Sequence, residues 1–297
     1  MFKKFLSALV VSSLWLSGAA MAQTKQIKVG VIFDMSGPLA AGGSNASYLG
    51  TKYAIDMINE RGGVEGHRIV PIYVDAQSKT EVAINETERL LNQEKVDVIM
   101  GVFSSAQCVP MAQRVDQAKK FMWANVCVSS AVFKDKNLRN VFRAQVHSDQ
   151  MGEASCRFLG ENSKAKLGKE VKDLKVAIIY EDGPYGAGVA SGNDSVCKQL
   201  GMQVVLKEGY AATSPDLSPL VTKLRRARPD VILHTGYNPD ITLFLRQAKE
   251  QGLKWDALIG HGAGHGQFDK LFATFKDDAN LIMNVDPVAA QLLDAKT

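Results

Sequence analysis

Short apolar runs alternate along this chain with longer segments in which apolar residues recur every three to four positions. IKVGVIF (27–33) is continuous and β-branched, the pattern of a strand buried on both faces, and Leu49, Tyr53, Ala54, Met57 and Ile58 then recur at helical spacing up to the Gly62-Gly63 stop. RIVPIYVD (68–75) predicts a second strand, Ser78 and Glu81 have capping-box spacing for a helix through Leu91, and VDVIM (96–100) predicts a third strand. A helix from about Ala106, strands at 120–126 and 140–146, and a helix from Asp149 to about Glu161 follow, with the Lys-rich stretch 164–172 as a surface turn. A second series then begins. Strands at 175–182, 202–210, 230–236, 257–262 and 280–285 alternate with helices near 187–200, after Ser214-Pro215, after Asn238-Pro239 and near 266–275, both prolines reading as first helical residues behind good caps.

Doubly buried strands separated by helices predict an α/β chain with parallel sheets and right-handed crossovers. QEKVDVIMG (93–101) and RARPDVILH (226–234) repeat one order of basic helix end, Asp and apolar strand, so two similar lobes are expected. The boundary falls within 143–150, giving lobes at 23–146 and 147–297.

The first residues change the picture of charge and address. Lys3 and Lys4 precede an apolar run from Phe5 to Leu16 and an A-x-A site, Ala20-Met21-Ala22, which predicts a cleaved signal over residues 1–22. The run is too short to span a bilayer, and no Cys follows the site, so soluble export to a periplasm is expected. Without Lys3 and Lys4 the chain carries 33 basic and 31 acidic residues, a net charge of +2, with no basic stripe to hold nucleic acid. Four cysteines remain, Cys108, Cys127, Cys156 and Cys197, which allow three pairings. Cys156 and Cys197 fall in predicted helices that flank one sheet, and a bridge between them is one hypothesis.

Candidate chemistry is that of binding. GPYGAG and GHGAGH do not give the G-x-G-x-x-G dinucleotide turn, and no nucleophile elbow or P-loop occurs. His261 and His265 have H-x-x-x-H spacing, but Gly262-Ala263-Gly264 argues against a helix between them, so they read as loop histidines at a cleft rim and no metal or cofactor is expected. Ligands of open parallel sheets bind beyond the carboxyl ends of the strands. There the stretch Gly101 to Cys108 passes from strand through a tight loop into a helix start, where unpaired N–H groups and the dipole favour an anion. Ser105 either caps that helix or holds a carboxylate.

The residues that carry a resemblance are KVGVIFDMSGPLAAGG at the start, AIDMINERGGVEGH, VDVIMGVFSS and YEDGPYGAG, in that order. The chain from about Ile27 to Asp294 resembles the leucine/isoleucine/valine-binding family of periplasmic ABC-transporter receptors, which have the type I periplasmic binding protein fold. That resemblance implies two Rossmann-like lobes holding a small ligand between them without catalysis, a monomer, and an inner-membrane ABC permease as partner. It implies that Ser105 takes the carboxylate, Val128 and Ser129 supply a small-residue loop, and Tyr185 and Tyr237 give aromatic contacts. Where amino-acid binders of the family have a Glu for the ligand's ammonium, this chain has Gly262. An organic acid without an α-amino group, in one version aromatic, is therefore expected, with a branched-chain amino acid or a role in sensing as alternatives and Asp240 or Glu181 as acids able to swing in. The family also crosses back to the first lobe further on, so the second lobe and return crossing read as incomplete.

Overall fold

The computed structural model describes residues 25–286. The predicted signal segment, 1–22, and residues 287–297 of the predicted second lobe lie outside the described residues.

Strands β1 (Gln26–Phe33), β2 (Arg68–Asp75), β3 (Val98–Gly101), β4 (Phe121–Ala124) and β5 (Val141–Arg143) form a parallel sheet in the order β2-β1-β3-β4-β5. Strands β6 (Lys175–Glu181), β7 (Gln203–Tyr210), β8 (Val231–Thr235), β9 (Ala257–His261) and β10 (Ile282–Val285) form a second, in the order β10-β9-β8-β6-β7. Both sheets place their strands in one order: second, first, third, fourth, fifth. The internal echo thus falls on β3 and β8, the third strand of each lobe. Because the strand order reverses beside the first strand, a crevice opens between β1 and β3 and another between β6 and β8, and these two crevices face each other.

The apolar runs become strands because both faces are covered. In the first lobe α2 (Thr80–Asn92) and α3 (Ser105–Gln117) pack with Ile32, Ile99 and Met122 on one side, and α1 (Asn45–Glu60) packs with Val31 and Phe33 on the other. In the second, α4 (Ser148–Leu167) and α5 (Pro184–Gln199) cover Val176, Ile178 and Leu233. The opposite face lies under α6 (Ser218–Ala227), α7 (Asn238–Glu250) and α8 (Phe268–Phe275). Every residue of β8 and β9 is buried, and burying one such Leu or Ile side chain contributes roughly 1.5–3 kcal/mol. On β4 and β5, Phe121, Trp123 and Phe142 are exposed, an apolar strip on the first sheet.

Local expectations were altered where side chains serve the tertiary structure. Ser78 does not cap α2: its φ is +58°, its hydroxyl donates to the Ser36 carbonyl and accepts from the Leu39 amide, and Lys79 is the N-cap. The Lys-rich stretch continues α4 as far as Leu167, where left-handed Gly168 ends it. Pro215 stands outside α6; Asp216 first accepts the Ser218 amide in a turn, and Pro219 takes the early helical position. In α7, Pro239 is second, behind Asn238.

The cysteines pair as Cys108–Cys127 and Cys156–Cys197. The second bridge joins α4 to α5 across 41 residues. Gly152 and Gly192 make that close approach possible, since a Cβ at Gly152 would lie 2.3 Å from the Val189 carbonyl oxygen. Among the described residues no helix is long and apolar enough to cross a membrane.

Candidate functional site

The facing crevices enclose a small cavity of about 80 Å³. Phe103, Ser105, Val126, Val128 and Gln145 line it from the first lobe, and Met151, Tyr185, Tyr237, Gly262 and Asp286 from the second half of the chain. Five of the six residues singled out by the sequence meet here.

Ser104, in extended conformation, is the N-cap of α3, so Ser105 is its first helical residue. Ser105 is only 2% exposed. Its hydroxyl oxygen accepts the Ser129 amide at 3.3 Å, and its own proton has no acceptor among the described residues. This hydroxyl stands beside the unpaired N–H groups and the positive end of a 13-residue helix at one end of the cavity.

Ser129 stands just behind the wall. Its hydroxyl donates to the Pro184 carbonyl at 2.9 Å and accepts the Ala131 amide at 3.2 Å, so it joins the two lobes while Val128 lines the cavity. Arg143 fixes this loop from β5, donating through Nη1 to the Val128 and Ser129 carbonyls while its guanidinium lies 5.1 Å from the Phe133 ring centroid. Burial lowers the Arg143 pKa. Nothing in the local pattern around Arg143 had marked it.

Three aromatic rings form the adjoining wall. Tyr237 lies between Phe103 of the first lobe, 6.3 Å away between centroids, and Tyr185, 5.5 Å away. The Tyr185 hydroxyl donates to the His261 carbonyl. Burial pushes both tyrosine hydroxyls well above their ordinary pKa, which keeps them neutral donors. Phe103 belonged to the stretch identified from sequence, but spacing alone could not show that it meets a ring from the other lobe.

The two acids proposed to swing in are committed elsewhere. Asp240 accepts the Tyr210 hydroxyl at 2.6 Å and the Tyr237 amide at 2.9 Å, and burial raises its pKa to about 7. Glu181 accepts the Gly183 and Gly186 amides, tying down the start of α5. Both line a separate cavity of about 440 Å³ on the other side of Tyr237. That cavity is larger, but the Ser105 hydroxyl does not reach it.

His261 and His265 are buried, not rim, residues. β9 extends through His261 and points the ring inward, where Nδ1 lies 2.9 Å from the Thr235 hydroxyl and Nε2 3.0 Å from that of Ser155. His265 packs edge-on against His234, with ring centroids 5.0 Å apart, and neither of its ring nitrogens has a partner among the described residues. Burial holds His261 down to about 4 and His265 to about 3. Among the described residues no cluster of His, Cys, Asp or Glu is arranged to hold a metal.

Two lobes of one topology meet around this cavity, with the α3 N-terminus and the aromatic walls at their switch points. The chain belongs to the periplasmic binding protein family, which it matches over residues 26–280. It is 38% identical over 263 residues to Leu/Ile/Val-binding protein homolog 7 of Brucella suis, an alignment covering 89% of this chain and 65% of that relative's length. The fold is similar to that of the branched-chain amino acid transporter substrate-binding protein LivJ of Streptococcus pneumoniae, solved with isoleucine. The TM-score is 0.76 at 22% identity, covering 92% of this chain and 74% of that one. It is also similar to a solute-binding protein from R. palustris in complex with 4-hydroxybenzoate, with a TM-score of 0.69 at 23% identity, covering 81% and 62% of the two chains. The expected type I periplasmic binding protein fold, with its two parallel five-stranded sheets, is thereby shown.

Proposed function

We propose that this protein is a periplasmic solute receptor of an ABC importer that closes its lobes, divided at about 146–147, on a small carboxylate-bearing ligand. The observation that carries the reading is the Ser105 hydroxyl: buried, aimed into the interlobe cavity, and with a proton to give beside the α3 N-terminus. A carboxylate there gains hydrogen bonds to an ionised acceptor, worth about 1.5–3 kcal/mol each. Phe103, Tyr185 and Tyr237 offer a flat apolar surface to the rest of the ligand, and the small volume favours a compact molecule. With Gly262 where the family's amino-acid binders have an acid, an organic acid without an α-amino group, aromatic in one version, is the reading put forward. The alternatives are a branched-chain amino acid and a ligand sensor.

The family and the predicted signal segment support a periplasmic address and an inner-membrane permease as partner. A panel of benzoate, 4-hydroxybenzoate, 4-methylpentanoate and leucine, run by thermal shift and titration calorimetry, tests the ligand class. Saturable binding of at least one carboxylate, weakened by Ser105→Ala, is expected. Binding of none of the four, or binding undiminished by Ser105→Ala, would overturn it.

A further inference from the structure

Asp286 follows β10 directly and was not singled out by the sequence. The Gly262 amide donates to the Val285 carbonyl at 2.9 Å, so β10 ends beside Gly262 and delivers the next residue, Asp286, to the cavity at that same corner. The position that lacks an acid on one strand end thus has an acid from the neighbouring strand end. Among the described residues the Asp286 carboxylate accepts one hydrogen bond, a long one, 3.4 Å from Asn284 Nδ2. Gly262 itself has φ 55° and ψ −152°, a conformation that is essentially glycine-only, and a Cβ there would lie 3.2 Å from Met151 Cε. The loop therefore keeps residue 262 free of a side chain while the carboxylate comes from 286.

We propose that Asp286 is the specificity-determining acceptor of this cavity, selecting ligands that carry a hydrogen-bond donor, hydroxyl or ammonium, set apart from their carboxylate. This rests on the carboxylate reading above and adds a second polar end to it. A ligand bearing only a carboxylate would place two anions in one small cavity and give Asp286 no donor in place of the water it displaces. Asp286 keeps contact with solvent, and partial burial raises its carboxyl above its ordinary range, so an N–H or O–H donor on the ligand favours its ionised form. A phenolic acid meets this requirement with its hydroxyl, an amino acid with its ammonium.

Calorimetry on two matched pairs, 4-hydroxybenzoate with benzoate and leucine with 4-methylpentanoate, separates the sources and tests the selection. In the unaltered protein the donor-bearing member of at least one pair should bind about tenfold or more tightly than its partner, since sites built around a polar group reject ligands that lack the complement. Asp286→Leu should erase that preference. Asp286→Asn should keep much of it for the hydroxyl ligand, because an amide oxygen still accepts, and lose it for the ammonium ligand. Equal binding within both pairs, or a preference unchanged in Asp286→Leu, overturns this proposal and leaves the carboxylate reading standing. Binding of none of the four acids overturns both.

Discussion

Replacing Ser105 by Ala removes one oxygen and leaves the fold in place. Ser105 is the first residue of α3, and the N-cap is Ser104, so the helix start does not depend on the lost hydroxyl. Within the protein the change forfeits a single long hydrogen bond from the buried Ser129 amide, 3.3 Å, and leaves that donor unpaired, a cost of about 1–3 kcal/mol of stability. In the ligand complex the carboxylate loses a charge-assisted donor inside a closed cavity, which costs about 1–3 kcal/mol. Converted at 1.4 kcal/mol per decade, this raises Kd roughly fivefold to 150-fold. Titration calorimetry with whichever panel acid binds the unaltered protein measures that loss, and thermal melting without ligand measures the cost to the fold. A Kd unchanged within twofold would show that Ser105 only supports the loop.

The pH and backbone features yield further expectations. The buried imidazoles of His234, His261 and His265 are held neutral by burial, whereas an unfolded chain protonates them below about 6.5. Stability from these groups is therefore full above about pH 6.5 and declines as pH falls toward 4 and then 3. Asp240, raised to about 7, acts in the opposite direction below that pH, one carboxyl against three rings. His265→Phe should flatten the acid limb of a melting-versus-pH curve and, by removing two unpartnered buried nitrogens, stabilise the protein at pH 7 by about 1–3 kcal/mol; an unchanged curve would contradict the assignment. Gly262→Glu, which restores an acid at that position, should destabilise by about 1–3 kcal/mol because of the backbone conformation, and should not improve leucine binding; tighter leucine binding in that variant would refute the account of this corner. Reducing Cys156–Cys197, or replacing both by Ala, should cost up to about 4 kcal/mol for a loop of this length, seen as a lower denaturation midpoint. No shift would show that α4–α5 packing suffices alone.

Most of the fold was legible because its signals are local. Apolar runs marked ten strands, and the echo at 93–101 and 226–234 pointed to two similar lobes, whose shared strand order only the structure shows. The misplacements fell where a side chain serves a distant partner: Ser78 bridges the loop after β1, and Asp216 makes a turn ahead of α6. At the site, Ser105, Val128, Tyr185, Tyr237 and Gly262 could be nominated by the order of the loops. Asp286, Arg143 and Gln145 could not, because their relevance depends on which strand ends become neighbours. The histidines differ from expectation for a related reason: a glycine-rich stretch reads as loop in the sequence, whereas β9 carries His261 into the core.

The central claim, a carboxylate held between the lobes at Ser105, is tested most directly by identifying what the protein carries. Protein purified without added solute is denatured, and the released small molecules are identified by mass spectrometry, in parallel with Ser105→Ala. The account predicts one recurrent compact compound bearing a carboxylate, depleted in the variant. A recurrent compound without a carboxylate, or equal amounts from both proteins, would contradict it.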